Sequence, residues 1–237
     1  MIVLSAMSLN LVSCFDAVEN EYRVTVPTFA TVTKNEAGKV RLYLDENRGI
    51  LTPHEKSEAI NWCDAVRVRI TYDLPTLSTN SSIENTYFST PVRSASKIDT
   101  VSMVDVTDND ALLASLGGDT LGVYMIQAYR GYLTVQVYNA TNRDFDMTYS
   151  YDRNNFDGEN LYLNLHYTES DKAWGNGFLP CASAALPDFL TEKGMVTSDT
   201  LNIHVIAPVW YDQKRDSAYA DTATCKISRY RLAQPTY

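Results

Sequence analysis

Glycine and proline are scarce in this chain of 237 residues, which has 10 of the first and 8 of the second. That scarcity excludes collagen-like and low-complexity proteins. No run of about 18 apolar residues occurs, so no membrane-spanning helix is expected. Basic residues are also few, because 20 Lys and Arg stand against 29 Asp and Glu, for a formal net charge of −9. A protein surface that binds nucleic acid must be rich in Lys and Arg to neutralise the phosphates, so we expect no nucleic-acid partner.

Motifs that mark a known catalytic or metal chemistry are absent as well. The chain has no Gly-x-Ser-x-Gly elbow, no His-Glu-x-x-His pair and no phosphate-binding loop. Its 4 cysteines form no Cys-x-x-Cys pair, which argues against zinc-ribbon and thioredoxin-like sites. We therefore expect no catalytic residues, no metal site and no cofactor. An envelope hydrolase stays open as an alternative, since carboxylates from distant strands can form a catalytic pair.

What the sequence does contain begins with an apolar, uncharged N-terminus at residues 1–13. It ends in Leu11-Val12-Ser13-Cys14, which resembles the lipobox where bacterial lipoproteins are cleaved and lipidated on cysteine. No Lys or Arg precedes it, which departs from the usual signal. An acylated Cys14 would hold a soluble domain at a membrane through buried methylenes, at about 0.8 kcal/mol each. We expect a lipid-anchored protein of the cell envelope, at the outer membrane.

Charge divides the rest of the chain into two parts. Residues 22–104 carry a balance of +1 and residues 105–237 a balance of −7, an asymmetry that indicates a boundary. The predicted organisation is a signal and acidic tether at 1–21, a first domain at 22–104, a linker at 105–121 and a second domain at 122–237. Within the linker, Asp108 and Asp110 are expected to be the N-cap and a first-turn acid of a short helical turn.

Alternation of apolar and polar residues predicts an all-β fold. The clearest strand of the first part covers residues 66–72, and several short strands there favour a small OB-type barrel. In the second part, strands surround the turn signals Arg130-Gly131 and Asp157-Gly158. Their spacing favours an antiparallel β-sandwich that follows the barrel.

This order of parts resembles the NigD-like lipoproteins of Gram-negative bacteria, in which a lipobox precedes an N-terminal OB domain and a β-sandwich domain. The resemblance covers nearly the whole mature chain. It rests on strand patterns at residues 30–33, 40–45, 65–72, 158–166 and 199–205. The family takes its name from a bacteriocin-associated operon, so the resemblance implies an immunity role by association. It implies a non-catalytic protein that acts by binding and carries over no catalytic residues.

Arginines of the first part are one set of candidate ligand contacts. Arg67 and Arg69, with Arg41 and Arg48, are expected to share one face of the barrel, which would suit an anionic ligand. A solvated strand face is the plainer interpretation, because a balance of +1 is far from a basic domain.

Aromatic residues are the second set. Tyrosine occurs 16 times, mostly in the second part, and exposed aromatic rings commonly bind a sugar ring or a protein partner. This keeps open a surface glycan-binding module of an uptake system. Tyrosines that serve only as half-buried strand formers are the plainer interpretation. The candidate contacts are Tyr129, Tyr132, Tyr162, Trp174 and Trp210.

Three further patterns receive a structural interpretation. His166 and His204 lie on the polar faces of two strands and would be neighbours if those strands pair, but no third metal ligand is fixed by spacing. The acidic loop at residues 152–158 lacks the closing Glu of a calcium loop, so we expect a hairpin loop. Cys181 and Cys225 can form a disulfide or stay free, and the sequence does not decide between the two.

Overall fold

The structure is a computed structural model that describes residues 24–45, 49–54, 66–74, 86–116, 122–138, 143–173, 181–212 and 217–236. Cys14, Arg48 and Trp174 lie outside the described residues. The described strands are β1 (Val24–Lys34), β2 (Val40–Leu44), β3 (Gly49–Pro53), β4 (Arg67–Leu74), β5 (Thr86–Thr90), β6 (Val92–Thr100), β7 (Met103–Asp105), β8 (Gly122–Tyr129), β9 (Tyr132–Tyr138), β10 (Arg143–Tyr151), β11 (Asn160–Ala173), β12 (Cys181–Ala185), β13 (Thr200–Asp212) and β14 (Ser217–Ser228).

These strands form two sheets, and the all-β prediction is confirmed. The first sheet has the order β5-β3-β2-β1-β4-β6-β12-β9-β8, and the second has the order β14-β13-β11-β10-β7. Most neighbouring strands are antiparallel, but β3–β5, β6–β12, β7–β10 and β11–β13 are parallel pairs. Among the described residues, no helix is both long and apolar enough to cross a membrane.

Alternating side chains build two hydrophobic cores. In β4, Val68, Ile70 and Tyr72 are buried in a core formed by the strands of the first part. In β11, Leu161 and Leu163 are buried in a larger core that both sheets share in the second part. Because successive strand residues point to opposite faces, the polar residues between them lie on the other face of each sheet.

The two predicted parts meet within the first sheet. Asp99 and Thr100 of β6 pair with Ala182 and Ser183 of β12, so the strands of the first part continue into those of the second. Residues predicted as linker include the end of β7 and the helix α1 (Asp110–Ser115). The domain boundaries themselves stay a prediction.

The short helix has a different cap from the one predicted. Asn109, not Asp108, is the N-cap of α1, and its side chain accepts a hydrogen bond from the Leu112 amide. Asp108 instead adopts a left-handed backbone with φ of 54°. Asp110 stands in the first turn, as expected.

The Arg130-Gly131 hairpin prediction is confirmed. These two residues connect β8 to β9, and their φ angles of 48° and 75° are the left-handed values that a tight two-residue hairpin needs. The Gly131 amide donates to the Arg231 carbonyl at 2.9 Å, and the Gly131 carbonyl accepts from the Leu186 amide at 2.8 Å. The C-terminal segment therefore packs directly on the hairpin tip.

Candidate functional site

Arg67 is fully buried, which corrects its prediction as a ligand contact. Its Nη1 and Nη2 atoms donate to Asp45 Oδ1 at 2.8 Å and Oδ2 at 2.6 Å. The same guanidinium donates to Thr31 Oγ1 at 2.9 Å and to Thr134 Oγ1 at 2.8 Å. Neither Arg67 nor Asp45 has side-chain exposure. A ligand on the surface cannot contact this arginine.

The Arg67 contacts join the two parts of the chain. Thr134 of β9 lies 3.1 Å from Ser183 of β12, and Ser183 donates to the Leu133 carbonyl at 3.0 Å. We call Thr31, Asp45, Arg67, Thr134 and Ser183 the junction cluster. Burying a polar group is costly unless it is hydrogen-bonded, and the hydrogen bond from Arg67 Nη2 to Thr134 forms only when β9 packs on the first part. Arg67 Nε is buried without a hydrogen-bond partner.

Arg69 has a different environment, two residues further along the same strand face. It is partly exposed and borders a cleft of about 170 Å³ between the strands of the two parts. We call this the Arg69 cleft; its other lining residues are Pro27, Thr28, Phe29, Met125, Gln127 and Gln136. Arg69, unlike the buried Arg67, therefore lies where a small ligand can reach it.

Tyr129 and Tyr132 are buried, with 4% and 6% of their surface exposed, so they do not form a binding platform. Arg231 lies over the Tyr129 ring at 4.7 Å and donates to its hydroxyl. The Tyr132 hydroxyl donates to Gln234 Oε1 at 3.1 Å, and burial raises the pKa of Tyr132. Arg67 lies 5.6 Å from the centre of the Tyr132 ring, so two predicted contacts do meet, but inside the protein.

Tyr162 is exposed, as a ligand contact requires, with 40% of its surface accessible. Its ring stacks on His204 with centroids 4.8 Å apart and planes 15° apart. His204 is fixed by hydrogen bonds to Thr224 Oγ1 at 2.9 Å and Asn160 Oδ1 at 3.2 Å. Trp210 belongs to β13, but its side chain lies outside what the structure describes.

The two histidines are not neighbours, although their strands do pair. Strands β11 and β13 are parallel, and Tyr162 of β11 lies opposite His204 of β13. His166 is four residues further along β11, so the position opposite it lies beyond His204 in β13. His166 instead lies 2.8 Å from Ser150 Oγ. Within the described part of the chain, no group of three His, Cys, Asp or Glu residues could hold a metal ion.

The carboxylates of the acidic loop at 152–158 are engaged by the loop itself. Asp152 Oδ1 accepts from the Asn154 amide at 2.9 Å. Asp157 Oδ1 accepts from the Glu159 and Asn160 amides, and the Asn160 side chain donates to Oδ2 at 2.8 Å. These hydrogen bonds, the one from the Asn160 side chain above all, lower the pKa of Asp157. They define a hydrogen-bonded turn at Asp157.

Both described cysteines are free thiols. Burial raises the pKa of Cys181 to about 11 and that of Cys225 to about 12. Since the thiolate is the reactive form, neither thiol is activated near neutral pH.

A groove at the C-terminal end was not anticipated from the sequence. Tyr230 is 79% exposed, and the Arg229 guanidinium lies 5.4 Å from the centre of its ring. Beside them is a groove of about 320 Å³ with an apolar floor of Leu190, Val196 and Leu232, each no more than 4% exposed. We call this the Tyr230 groove. Tyr230 sits in a short 3-10 turn, Arg229–Arg231, after the last strand, where an alternation pattern carries no signal.

Comparisons with known proteins identify the fold. No family model matches the chain, and no curated relative matches it. A NigD-like immunity protein from Bacteroides caccae has a TM-score of 0.53 and 17% identity; the match covers 83% of this chain and 91% of that one. The resemblance to NigD-like proteins is thereby confirmed at the level of the fold.

Two further solved structures have the same fold. A protein described as toxin-related from Parabacteroides distasonis has a TM-score of 0.55 and 15% identity, over 88% of this chain and 96% of that one. An uncharacterized protein from Parabacteroides merdae has a TM-score of 0.59 and 11% identity, over 86% and 99%. At such identities the likeness shows a shared architecture.

Proposed function

We propose that this protein is a non-catalytic, lipid-anchored binding protein of the cell envelope, with an immunity-type role like that named for its structural relative from Bacteroides caccae. It attaches to the outer membrane through a lipid on Cys14 and engages a protein partner at the Tyr230 groove. The structural likeness to a NigD-like immunity protein supports the role, and the sequence at residues 11–14 supports the anchor.

One observation carries the choice of surface, namely the exposed Tyr230 ring stacked with Arg229 beside an apolar floor. Tyrosine and arginine are enriched among the residues that dominate protein–protein binding energy. Tyrosine offers a large ring with few rotatable bonds, so fixing it in a complex costs little conformational entropy. Lys193 and Glu192 at the rim supply charges of both signs, which is typical of the polar border around such an apolar centre.

Site-specific photo-crosslinking in the source organism tests this surface. A benzophenone amino acid at position 230 is expected to form a discrete adduct with one partner protein. Leu113 of α1 is the control position, because it is 38% exposed and does not line the groove. The substitution Arg229→Ala is expected to lower the yield of the adduct at position 230. Equal adducts at positions 230 and 113, or none at 230, would contradict the proposal.

A further inference from the structure

The Arg69 cleft has a polar composition that differs from that of the Tyr230 groove. One guanidinium, two carboxamides and one hydroxyl border it, from Arg69, Gln127, Gln136 and Thr28. The remaining lining side chains are the apolar Pro27, Phe29 and Met125, and none of the lining residues is acidic. We propose that this cleft binds a single acidic sugar residue, a hexuronic acid, through a carboxylate contact with Arg69. This inference goes beyond the proposed function and does not depend on the Tyr230 groove.

Each class of lining group corresponds to one part of such a ligand. A guanidinium carries five N–H donors in a planar fork that matches a carboxylate, and it can serve an internal partner and a ligand together. The carboxamide of Gln127, which is partly exposed, both donates and accepts hydrogen bonds, as the hydroxyl groups of a sugar do. Gln136 is only 7% exposed and lies deeper in the cleft wall. Pro27 is exposed and Met125 is partly exposed, and these apolar side chains suit the C–H face of a sugar ring. A phosphate ion has no apolar surface that could contact these side chains.

The size of the cleft restricts the ligand to one small unit. Its volume of about 170 Å³ is below the roughly 300–1,000 Å³ of sites that enclose drug-sized molecules. A terminal sugar residue fits this scale better than a chain of several residues does.

The strand pairing holds the lining groups in fixed positions. Phe29 of β1 lies opposite Arg69 of β4, and Met125 of β8 lies opposite Gln136 of β9. The junction cluster joins these two strand pairs through Arg67 and Thr134. A β-bulge between Val123 and Met125 changes the register of β8 where the strand reaches the cleft, and bulges commonly redirect side chains next to binding sites.

Nuclear magnetic resonance titration of the full chain, produced without export, tests the proposal. The probes are galacturonic acid, glucuronic acid, galactose as the neutral counterpart, N-acetylglycine as a peptide-like carboxylate, and inorganic phosphate. We expect saturable shifts with at least one uronic acid at millimolar concentrations, and binding of galactose that is about tenfold weaker, which corresponds to about 1.4 kcal/mol.

Variants assign the binding to the cleft. Arg69→Gln is expected to weaken uronate binding about tenfold, whereas Lys97→Gln, which removes an exposed cation of β6, leaves it unchanged. If the amide resonances of Arg69→Gln remain as well dispersed as those of the unaltered protein, the variant is folded. If that variant does not fold, Gln127→Leu serves instead and is expected to weaken uronate binding, because it removes a hydrogen-bonding group of the cleft.

Four results would overturn the proposal. The first is that neither uronic acid shows saturable binding, and the second is that galactose binds as tightly as the uronic acids. The third is that both cleft variants leave uronate binding unchanged. The fourth is that N-acetylglycine or phosphate binds more tightly than the uronic acids. The last result would assign the cleft to a peptide carboxylate or an inorganic anion.

Discussion

Arg67 Nη2 lies 2.6 Å from Asp45 Oδ2, and neither side chain is exposed to solvent. A buried charge costs several kcal/mol unless it is paired and hydrogen-bonded. Here part of the pairing comes from the first part of the chain, through Asp45 and Thr31, and part comes from Thr134 of β9. The ion pair thus favours the state in which both parts are folded and packed together.

We expect Arg67→Met to lower the free energy of unfolding by about 3–5 kcal/mol, because it leaves Asp45 buried without its partner. The double variant Arg67→Met with Asp45→Leu should recover most of this loss. As a control, Arg229→Met removes a 3.8 Å pair with Asp199 in which the two side chains are 41% and 86% exposed, and at most about 1 kcal/mol is expected there. Urea denaturation measures all three. Equal losses for Arg67→Met and Arg229→Met would show that the buried pair has no special role.

Gly131 and Gly38 offer a matched test of the hairpin tip, since both have φ of 75°. A Cβ atom at Gly131 would lie 2.7 Å from the Leu232 carbonyl oxygen, whereas nothing lies within 4 Å of one at Gly38. Gly38→Ala is expected to cost about 1 kcal/mol from backbone strain alone. Gly131→Ala should cost a further 1–3 kcal/mol or so, because the C-terminal segment must move. Thermal denaturation of both variants compares them, and equal melting temperatures would contradict the contact.

The lipid anchor is testable by a single substitution. Cys14→Ala removes the thiol that the lipobox prediction requires for lipidation, so the protein should move from the membrane fraction to the soluble fraction. Membrane fractionation and metabolic labelling with a fatty-acid analogue measure the change. Cys63→Ala is the control and should leave both readouts as in the unaltered protein. A Cys14→Ala variant that stays in the membrane fraction would rule out this anchor.

The raised pKa values of Cys181 and Cys225 predict slow thiol chemistry and a stability loss at high pH. Their pKa values are about 11 and about 12 in the folded protein, against an ordinary value of 9.0. The unfolded chain therefore ionises first, and stability is unaffected well below pH 9 and falls as the pH rises from there toward 12. In a chain with serine at positions 14 and 63, iodoacetamide at pH 8 should modify the native thiols far more slowly than those unfolded in urea. Equal rates would contradict the burial of these thiols.

Patterns of local origin were predictable from the sequence, because they depend on neighbouring residues. The alternation at 66–72 and the Arg130-Gly131 turn each reflect side-chain direction or backbone preference within a few residues. The prediction that Arg67 contacts a ligand is wrong for the same reason. An arginine between two valines on a strand suggests a solvated face, and contacts with Asp45 and Thr134, 22 and 67 residues away in sequence, make that face an interior.

Exposure of the aromatic residues was also decided by distant contacts. Tyr129 and Tyr132 stand beside a hairpin turn, where exposed rings are common, but Arg231 and Gln234 from the C-terminal segment cover them. Tyr162 keeps 40% of its surface exposed although His204, its neighbour across the parallel pair, stacks on one face of its ring. The Tyr230 groove combines residues from two separate turns, so no single stretch of sequence indicates it.

Ser150 and His166 provide the sharpest test of the non-catalytic proposal. Their Oγ and Nε2 atoms are 2.8 Å apart, which is the separation of a nucleophile and its base. However, Ser150 has no solvent exposure, so a substrate carbonyl cannot approach its oxygen. We expect a fluorophosphonate probe to leave the native protein unlabelled, and His166→Ala to reduce stability by about 1 kcal/mol through the lost hydrogen bond. Mass spectrometry of the treated protein checks the first result and urea denaturation the second. Labelling that disappears in Ser150→Ala would mean that the strand opens and that the pair is a working catalytic dyad.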